Sequence, residues 1–180
     1  MEPDSGDIIF DGRSFRGIKT QGKKKIRKEI GMLFQAGALF DSLTVEENVA
    51  FPLKMFSELT TEEIADRTNF CLNRVDIVNK NDLFPAEISG GMQKRVAIAR
   101  AIAMNPKYLF CDEPNSGLDP VTAIVIDELI KEITEEFQMT TVVITHDMNS
   151  VLEIGENIMF IYEGKNYWVG DKDSILTTDV

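Results

Sequence analysis

A short apolar run and a short β-branched run, separated by a helical pattern, constrain the fold of this 180-residue chain most strongly. The first run is residues 108–111 (YLFC), and the second is residues 140–145 (TTVVIT). Both are too short for a helix, and the β-branched residues of the second are enriched in strands. Between them, apolar residues at positions 126, 129, 130, 133 and 137 follow one helical face. A strand–helix–strand order favours an α/β fold with a largely parallel sheet.

The same alternation extends towards both ends of the chain. Further strands are predicted at residues 8–10, 30–35, 158–162 and 167–169, the last two as a terminal hairpin. Residues 44–83 are helical, and within them Thr60 and Glu63 form a capping-box pattern. Another helix begins at Ser89 and runs to about Met104. We therefore expect one domain: a sheet flanked by helices, with an all-helical insertion.

Composition limits the classes of partner. The formal net charge is −11 and the isoelectric point is about 4.6. An acidic surface disfavours broad attraction to nucleic acid or to anionic lipid. The basic run at residues 23–28 is interpreted as a solvated face. The sequence has no apolar run of the ~18–20 residues that span a bilayer, so we expect a cytoplasmic chain that reaches a membrane only through a partner.

Two acidic residues, Asp112 and Glu113, follow the strand at residues 108–111. Ligands of open α/β sheets bind at the carboxyl ends of the strands. Adjacent carboxylates at such an end suit phosphate chemistry, in which one holds Mg²⁺ and the other polarises a water molecule that attacks the phosphate. The alternative interpretation is an acidic turn that leads into a helix.

Two other predicted strands also end in polar residues. His146, the only histidine, follows the strand at residues 140–145, and Gln35 closes the strand at residues 30–35. An imidazole and carboxylates at one sheet edge favour a functional site. A single histidine is nevertheless often structural or simply exposed. The amide oxygen of Gln35 suits Mg²⁺ or its water, although many strands end in an amide.

A helix with two glycines at its start offers an anion site. Ser89 is suited to cap this helix, and Gly90 and Gly91 leave backbone N–H groups uncovered. Free amides and the helix dipole favour a bound phosphate. The alternative is a helix end that packs closely against a neighbouring element.

In chain order, the stretches IGMLFQ, ISGGMQKR, YLFCDEP, SGLD and ITHD resemble the motifs of the ATP-binding cassette ATPases, the nucleotide-binding subunits of ABC transporters. The resemblance covers residues 3–170. It implies a RecA-like P-loop NTPase core formed by residues 1–43 and 96–180. Residues 44–95 then form a helical subdomain that carries the signature motif. It also implies ATP hydrolysis with ATP and Mg²⁺ as cofactors.

The resemblance assigns a role to each motif residue in the first half of the site. Gln35 is implied to contact Mg²⁺ and to sense the membrane partner. Ser89, Gly90 and Gly91 are implied to bind the γ-phosphate of ATP that is held by a second, head-to-tail ATPase subunit. Met92 stands where the family usually has Gln, which is a feature of the narrower group of Mla- and Tgd-type phospholipid transport ATPases.

The remaining motif residues lie in the second half of the chain. Asp112 matches the aspartate that binds Mg²⁺, and Glu113 matches the catalytic glutamate that positions the attacking water. Asp119 closes the SGLD motif, which crosses the dimer interface and contributes to the ATP site. His146 matches the catalytic histidine that contacts the γ-phosphate.

The resemblance also implies membrane partners. In the family, the segment matching residues 32–53 forms a groove for integral membrane permease subunits, so an exposed apolar patch is expected there. Ordinary core packing is the alternative for each apolar residue of this segment, such as Phe40, Val45, Val49 and Phe51. The implied location is peripheral, on the cytoplasmic face of the inner (plasma) membrane, without nucleic acid.

One expected motif does not occur in these 180 residues. No G-x-x-x-x-G-K-[ST] sequence is present, so the backbone cradle and the lysine for the β- and γ-phosphates are lacking. We therefore expect an N-terminally truncated cassette that lacks the P-loop, its strand and its helix. Such a chain is expected to expose core surface, to be of low stability or to associate, and to be inactive alone.

Two other functional classes remain open from the sequence. One is a soluble, non-transport cassette ATPase of DNA repair or translation. Such proteins usually carry long coiled-coil insertions or tandem cassettes, which this chain lacks. The other is a non-catalytic interaction fragment.

Overall fold

The computed structural model describes residues 3–177. The strands found there are β1 (Ile9–Phe10), β2 (Arg13–Ser14), β3 (Ile30–Leu33), β4 (Tyr108–Asp112), β5 (Thr140–Ile144), β6 (Ile158–Tyr162) and β7 (Lys165–Gly170). The α-helices are α1 (Thr20–Lys28), α2 (Val45–Phe56), α3 (Thr61–Arg74), α4 (Gly90–Ile102), α5 (Pro120–Glu136), α6 (Met148–Ile154) and α7 (Lys172–Ile175). A short 3-10 turn, Pro85–Glu87, precedes α4.

The central sheet is parallel, as the sequence predicts. Its strand order is β3–β4–β5, with Leu33 opposite Cys111 and Asp112 opposite Ile144. The strand predicted over residues 30–35 ends earlier, at Leu33, so Gln35 lies beyond the ladder. Because the three strands run in one direction, their carboxyl ends meet at a single edge. The α/β fold class is thus confirmed.

Two small antiparallel sheets flank this core. The predicted terminal hairpin is confirmed as β6 and β7, which pair from Ile158–Gly170 to Tyr162–Lys165. At the other end, β1 turns back through Asp11-Gly12 to pair with β2, a strand that was not predicted. Helices α1, α6 and α7 were not predicted either, because each is short. The basic run lies in α1, where Ile26 is buried and Lys24 and Lys25 are exposed, so the solvated-face interpretation holds.

One face of the central sheet packs on helices. Leu33, Leu109 and Cys111 point to this face and are fully buried. They belong to the cluster that also contains buried residues of the flanking helices: Val96, Ile98 and Ile102 of α4, and Ile126, Ile130 and Ile133 of α5. These residues form the hydrophobic core.

The opposite face of the same sheet is apolar and exposed. Met32, Phe110 and Val142 are neighbours across β3, β4 and β5. Met32 is 42% exposed, Val142 is 41% exposed and Ile144 is 55% exposed. Parallel sheets normally have both faces covered. We call Met32, Phe110, Val142 and Ile144 the open sheet face; the truncation from which exposed core surface was expected stays a prediction.

The helical region connects directly to the core through α4. Helices α2 and α3 both begin with capping boxes, Thr44 with Glu47 and the predicted Thr60 with Glu63. Helix α4 packs on both of them and also on β3 and α5. It runs unbroken across the predicted subdomain boundary between residues 95 and 96. The division into a core and a helical subdomain therefore stays a prediction. None of the helices in the described part of the chain is long and apolar enough to cross a membrane.

Candidate functional site

Glu113 follows the last residue of β4 in an unusual backbone conformation. Its φ angle is +45°, and its N–H donates to the carbonyl of Ile144 in β5 over 2.8 Å. Left-handed conformations of residues other than glycine cost roughly 1–3 kcal/mol and cluster at functional sites. The backbone thus turns sharply at the residue that the sequence predicts to be the catalytic carboxylate.

The carboxylate of Glu113 pairs with the only histidine. Nδ1 of His146 lies 2.7 Å from Oε1 of Glu113. The imidazole is 87% exposed and the carboxylate is 20% exposed. This hydrogen bond, together with the negative charge of Glu113, raises the pKa of His146 above its ordinary value. The structure therefore brings together the two side chains that the sequence predicts to be catalytic.

The predicted magnesium ligands lie at the same edge. Asp112 is the half-buried last residue of β4, and Gln35 is an exposed residue just beyond the neighbouring strand β3. The Gln35 amide nitrogen donates to the hydroxyl of Ser116 over 3.1 Å, so its oxygen is the atom that a cation would use. Carboxylate and amide oxygens fit Mg²⁺, which usually takes only one or two carboxylates plus phosphate oxygens and water. No group of three or more acidic, histidine or cysteine side chains that could hold a metal ion occurs among residues 3–177, and the Mg²⁺ site stays a prediction.

Asp119 caps its own helix. Its Oδ1 accepts hydrogen bonds from the N–H groups of Val121 and Thr122 over 3.1 and 3.0 Å. Its Oδ2 accepts the hydroxyl of Thr122 over 2.6 Å. These hydrogen bonds lower the pKa of Asp119. The predicted contact of Asp119 with nucleotide stays a prediction, whereas its capping of α5 accounts for the residue type within this chain.

The two glycines at the start of α4 differ in their surroundings. Ser89 caps the helix, with its hydroxyl accepting the N–H of Met92 over 3.3 Å. A side chain at Gly90 would meet no atom within 4 Å, whereas a Cβ at Gly91 would lie 2.9 Å from Cγ2 of Thr122. Gly90 therefore leaves the helix end open, as an anion site requires, and Gly91 permits close packing on α5. The close-packing interpretation therefore applies to Gly91, and the anion site at Ser89 and Gly90 stays a prediction.

Sequence reasoning missed Lys94 and Arg100 of α4. Lys94 is only 5% exposed, and its ammonium donates to the carbonyl of Gln35 and, over 3.4 Å, to that of Glu113. Arg100 donates to the carbonyls of Gly37 and Ala38 over 2.6 and 2.7 Å. Two cations of one helix thus hold the backbone around Gln35. Lysine and arginine in a helix usually extend their charged ends into solvent, and the sequence carries no signal that distinguishes these two residues.

A buried polar cluster behind the site was also missed. The Asn115 amide nitrogen donates to Oδ2 of Asp127 over 2.8 Å and to the hydroxyl of Ser150 over 2.9 Å. Asp127 is 3% exposed, and burial raises its pKa. The cluster fastens the loop after Glu113 to α5 and α6. The position of Asp127 next to Ile126 on the buried face of α5 was the available signal.

An apolar groove lies beside Gln35. Its volume is about 1010 Å³. Phe34, Ala38 and Phe40 line one part of it and Phe51 and Met55 another, while the basic side chains of Lys24, Arg27 and Lys28 also border it. Residues 32–53, which were expected to form an exposed apolar patch, therefore serve in two ways. Some of them line this groove, whereas Val45 and Val49 are fully buried in the core.

Comparisons with known proteins identify the family. The model of a family described as "ABC transporter" matches residues 1–116. The methionine import ATP-binding protein MetN of Haemophilus ducreyi is 40% identical over 173 residues, which are 96% of this chain and 50% of that protein. The intermembrane phospholipid transport ATP-binding protein MlaF of Haemophilus influenzae is 37% identical over 176 residues, 98% of this chain and 67% of that protein. The chain thus spans about half the length of the methionine-import relatives that it matches.

Solved structures show the same fold. A dimeric, post-hydrolysis structure of the ATP-binding cassette MJ0796 with ADP and Pi has a TM-score of 0.84 at 34% identity, over 96% of this chain and 75% of that one. The cbiO1 protein of Clostridium perfringens, part of an ABC transporter complex, has a TM-score of 0.89 at 32% identity, over 98% of this chain and 70% of that one. The chain belongs to the ABC transporter family of ATP-binding proteins.

Proposed function

We propose that this chain is part of the ATP-binding and ATP-hydrolysing subunit of an ABC transporter, which couples hydrolysis to transport by membrane subunits. The observation that carries this proposal is the 2.7 Å contact between Glu113 and His146 at the carboxyl ends of β4 and β5. A carboxylate and an imidazole beside Asp112 suit the cleavage of a phosphate bond by water. MetN, MlaF and MJ0796 are all described as ATP-binding proteins.

The side chains at this edge of the central sheet have separate roles in the proposed reaction. Glu113 positions the attacking water, and His146 contributes hydrogen bonding to the γ-phosphate. Asp112 and Gln35 hold Mg²⁺, which would neutralise charge on the phosphates when bound. The N–H groups at the Ser89 end of α4 bind the phosphate of ATP carried by a second subunit, because amides at a helix N-terminus attract anions.

This arrangement requires a head-to-tail dimer. A Cβ added at Gly90 would meet no atom within 4 Å, so the side of α4 at this residue is open, which suits a nucleotide presented by a partner. The MJ0796 cassette was solved as a dimer with ADP and Pi. In our proposal the dimer has two ATP sites, and each subunit supplies one half of each site. Asp119 lies at the interface between the two subunits.

The membrane subunits dock in the apolar groove beside Gln35. Phe40 is 44% exposed and Met55 is 59% exposed at this groove, and exposed apolar patches mark interaction sites. This contact would hold the chain peripherally at the cytoplasmic face of the inner membrane. The proposed cargo is a phospholipid or another lipid. Met92 within ISGGM and the similarity to MlaF support that cargo, whereas the similarity to MetN favours methionine.

The proposed reaction is tested on the complex purified in detergent from its native membrane. We expect Glu113→Gln to retain ATP binding, to trap a dimer and to abolish turnover, while Glu128→Gln, an exposed control on α5, hydrolyses ATP at the wild-type rate. Hydrolysis by Glu113→Gln at the wild-type rate would refute the role of Glu113. Co-purification with DNA or ribosomes instead of an integral membrane protein would favour a soluble cassette ATPase.

The prediction that residues 1–180 lack a phosphate cradle is tested on this chain alone. Since no G-x-x-x-x-G-K-[ST] motif occurs in them, calorimetry is expected to detect weak ATP binding or none. Micromolar binding would show that these residues hold nucleotide by themselves.

The cargo is tested by adding phospholipid or methionine to the reconstituted complex and measuring ATP hydrolysis. Stimulation of hydrolysis by methionine alone would overturn the lipid proposal.

A further inference from the structure

Lys94 is a buried lysine near the start of α4. It is 5% exposed and is the only buried lysine among residues 3–177. Burying an ammonium group is costly unless it is paired or hydrogen-bonded. Lysine normally avoids this cost by lying on the solvated face of a helix. The position of Lys94 therefore implies specific contacts that compensate.

Those contacts are with the backbone of two site residues. The Lys94 ammonium donates to the carbonyl of Gln35 and, over 3.4 Å, to the carbonyl of Glu113. Burial lowers the pKa of Lys94, while the charge of Glu113 acts in the opposite direction. No ion pair of Lys94 with a carboxylate is found in the described part of the chain. The lysine thus acts on two peptide groups, and each of them belongs to a residue of the proposed site.

The contacts of Lys94 close a ring of hydrogen bonds. The amide nitrogen of Gln35 donates to the hydroxyl of Ser116 over 3.1 Å. The backbone N–H of Ser116 donates to the carbonyl of Glu113 over 3.1 Å. Lys94 completes the ring because it reaches the carbonyls of both Gln35 and Glu113. Three separate segments, namely α4, the end of β3 and the loop after β4, are therefore joined by four residues.

The ring holds Glu113 in its left-handed conformation. The Glu113 carbonyl accepts from Ser116 and Lys94, and its N–H is held by Ile144. A strained backbone conformation with a φ of +45° persists only where surrounding contacts determine it. The direction of the Glu113 side chain, and hence its contact with His146, depends on these constraints.

We propose that Lys94 is a positioning residue, which fixes the backbone of Gln35 and Glu113 through this ring and so aligns their side chains with each other and with the Ser89 end of α4. Lys94 does this without touching the nucleotide. The effect of Lys94 on ATP hydrolysis rests on the proposed function. The positioning of Gln35 and Glu113 by Lys94 is independent of that function and can be measured without ATP.

The test compares Lys94→Met with Lys131→Met, an exposed control on α5. Methionine has a similar length but removes both the charge and its hydrogen bonds. Relief of the buried ammonium opposes the cost of leaving the Gln35 carbonyl without this donor, so we expect only a small change in the melting temperature of Lys94→Met. The NMR titration midpoint of His146 should fall towards about 6.5, the value of a free histidine. The Ser116 amide should exchange its hydrogen at least about tenfold faster, while amides of α2 and α3 exchange as before.

Two outcomes would overturn the proposal. One is a Lys94→Met protein with an unchanged His146 midpoint and unchanged exchange at residues 113–117. The other is faster exchange spread evenly over α2, α3 and α4, which would identify Lys94 as a general stabiliser. If Lys94→Met does not fold, Ser116→Ala opens the same ring at the Gln35 contact. Ser116→Ala should accelerate the hydrogen exchange of the backbone amides of residues 35–38. Unchanged exchange at these residues would also refute the proposed role of the ring.

Kinetics provide a separate measurement on the membrane complex. Lys94→Met should lower kcat for ATP hydrolysis at least about tenfold and leave KM unchanged, because positioning acts on the transition state. Equal kinetic parameters for the variant and the wild type would contradict the proposal. If the complex does not hydrolyse ATP at all, the proposed function fails, while the titration and exchange measurements still decide the role of Lys94.

Discussion

Nδ1 of His146 lies 2.7 Å from Oε1 of Glu113, so a side-chain contact joins the carboxyl ends of β4 and β5. The residues are 33 positions apart in sequence. Their strands are parallel neighbours, and each side chain leaves its strand just beyond the ladder. This relationship makes the protonation of the imidazole depend on the carboxylate.

Replacement of Glu113 by Gln is expected to lower the pKa of His146 towards its ordinary value of 6.5. In the wild type the folded-state pKa is raised, so the protonated pair stabilises the fold fully below pH 6.5. That contribution is lost as the pH rises through the higher folded-state pKa. His146 is the only histidine, so one imidazole NMR resonance reports the midpoint. Glu128→Gln is the control, and equal midpoints in Glu113→Gln and wild type would contradict the pairing.

Alanine at Gly91 is expected to destabilise the chain, whereas alanine at Gly90 is not. The Gly91 side chain would meet Cγ2 of Thr122 at 2.9 Å, and that of Gly90 would meet open space. Overpacking costs roughly 1–3 kcal/mol, while relief from a helical glycine gains up to about 1 kcal/mol. The free energy of unfolding in urea measures both effects.

A second substitution isolates the steric cause. Thr122→Ser removes Cγ2 but keeps the hydroxyl that donates to Asp119. We expect Gly91→Ala to cost less in the Thr122→Ser background than alone. If Gly91→Ala lowers the free energy of unfolding equally in both backgrounds, the close contact with Thr122 is not the reason for glycine at position 91.

Asp127→Asn is expected to change the pH dependence of stability. Burial raises the pKa of Asp127 above 3.8, so the folded state binds its proton more tightly than the unfolded state. The resulting stabilisation is present at low pH and is lost as the pH rises from 3.8 through the folded-state pKa. Asparagine carries no charge, and its stability relative to wild type should therefore be greater at about pH 7 than at about pH 4. Urea unfolding at the two pH values measures this difference, and a constant difference would refute the raised pKa.

The open sheet face is expected to make residues 1–180 associate in solution. Val142, which is 41% exposed on that face, is replaced by Lys, and Val121, which is 72% exposed on α5, is replaced by Lys as the control. An unpaired charge opposes apolar association, so Val142→Lys should shift sedimentation towards the monomer and reduce binding of an apolar dye. A wild-type chain that is monomeric at all concentrations and does not bind the dye would contradict this expectation.

Local pattern was sufficient for much of the fold. The β-branched run in β5 and the apolar run in β4 specify strands, because each pattern depends on neighbours a few residues apart. The Thr60–Glu63 capping box was predictable for the same reason. Helices α1 and α6 were not, since a short helix carries too few turns to show a periodicity.

The sequence by itself determined the α/β class, the strand-end positions of Asp112, Glu113 and His146, and the family to which the chain belongs. Only the tertiary structure decided that Glu113 contacts His146, that Gly91 packs on Thr122, and that Lys94 is buried in a ring with Gln35. The physical reason is the range of the interactions involved. Strand and helix patterns arise from neighbouring residues, whereas these contacts depend on how α4, α5 and the sheet pack, and a lysine on a helix has the same local sequence whether it lies in water or in the core.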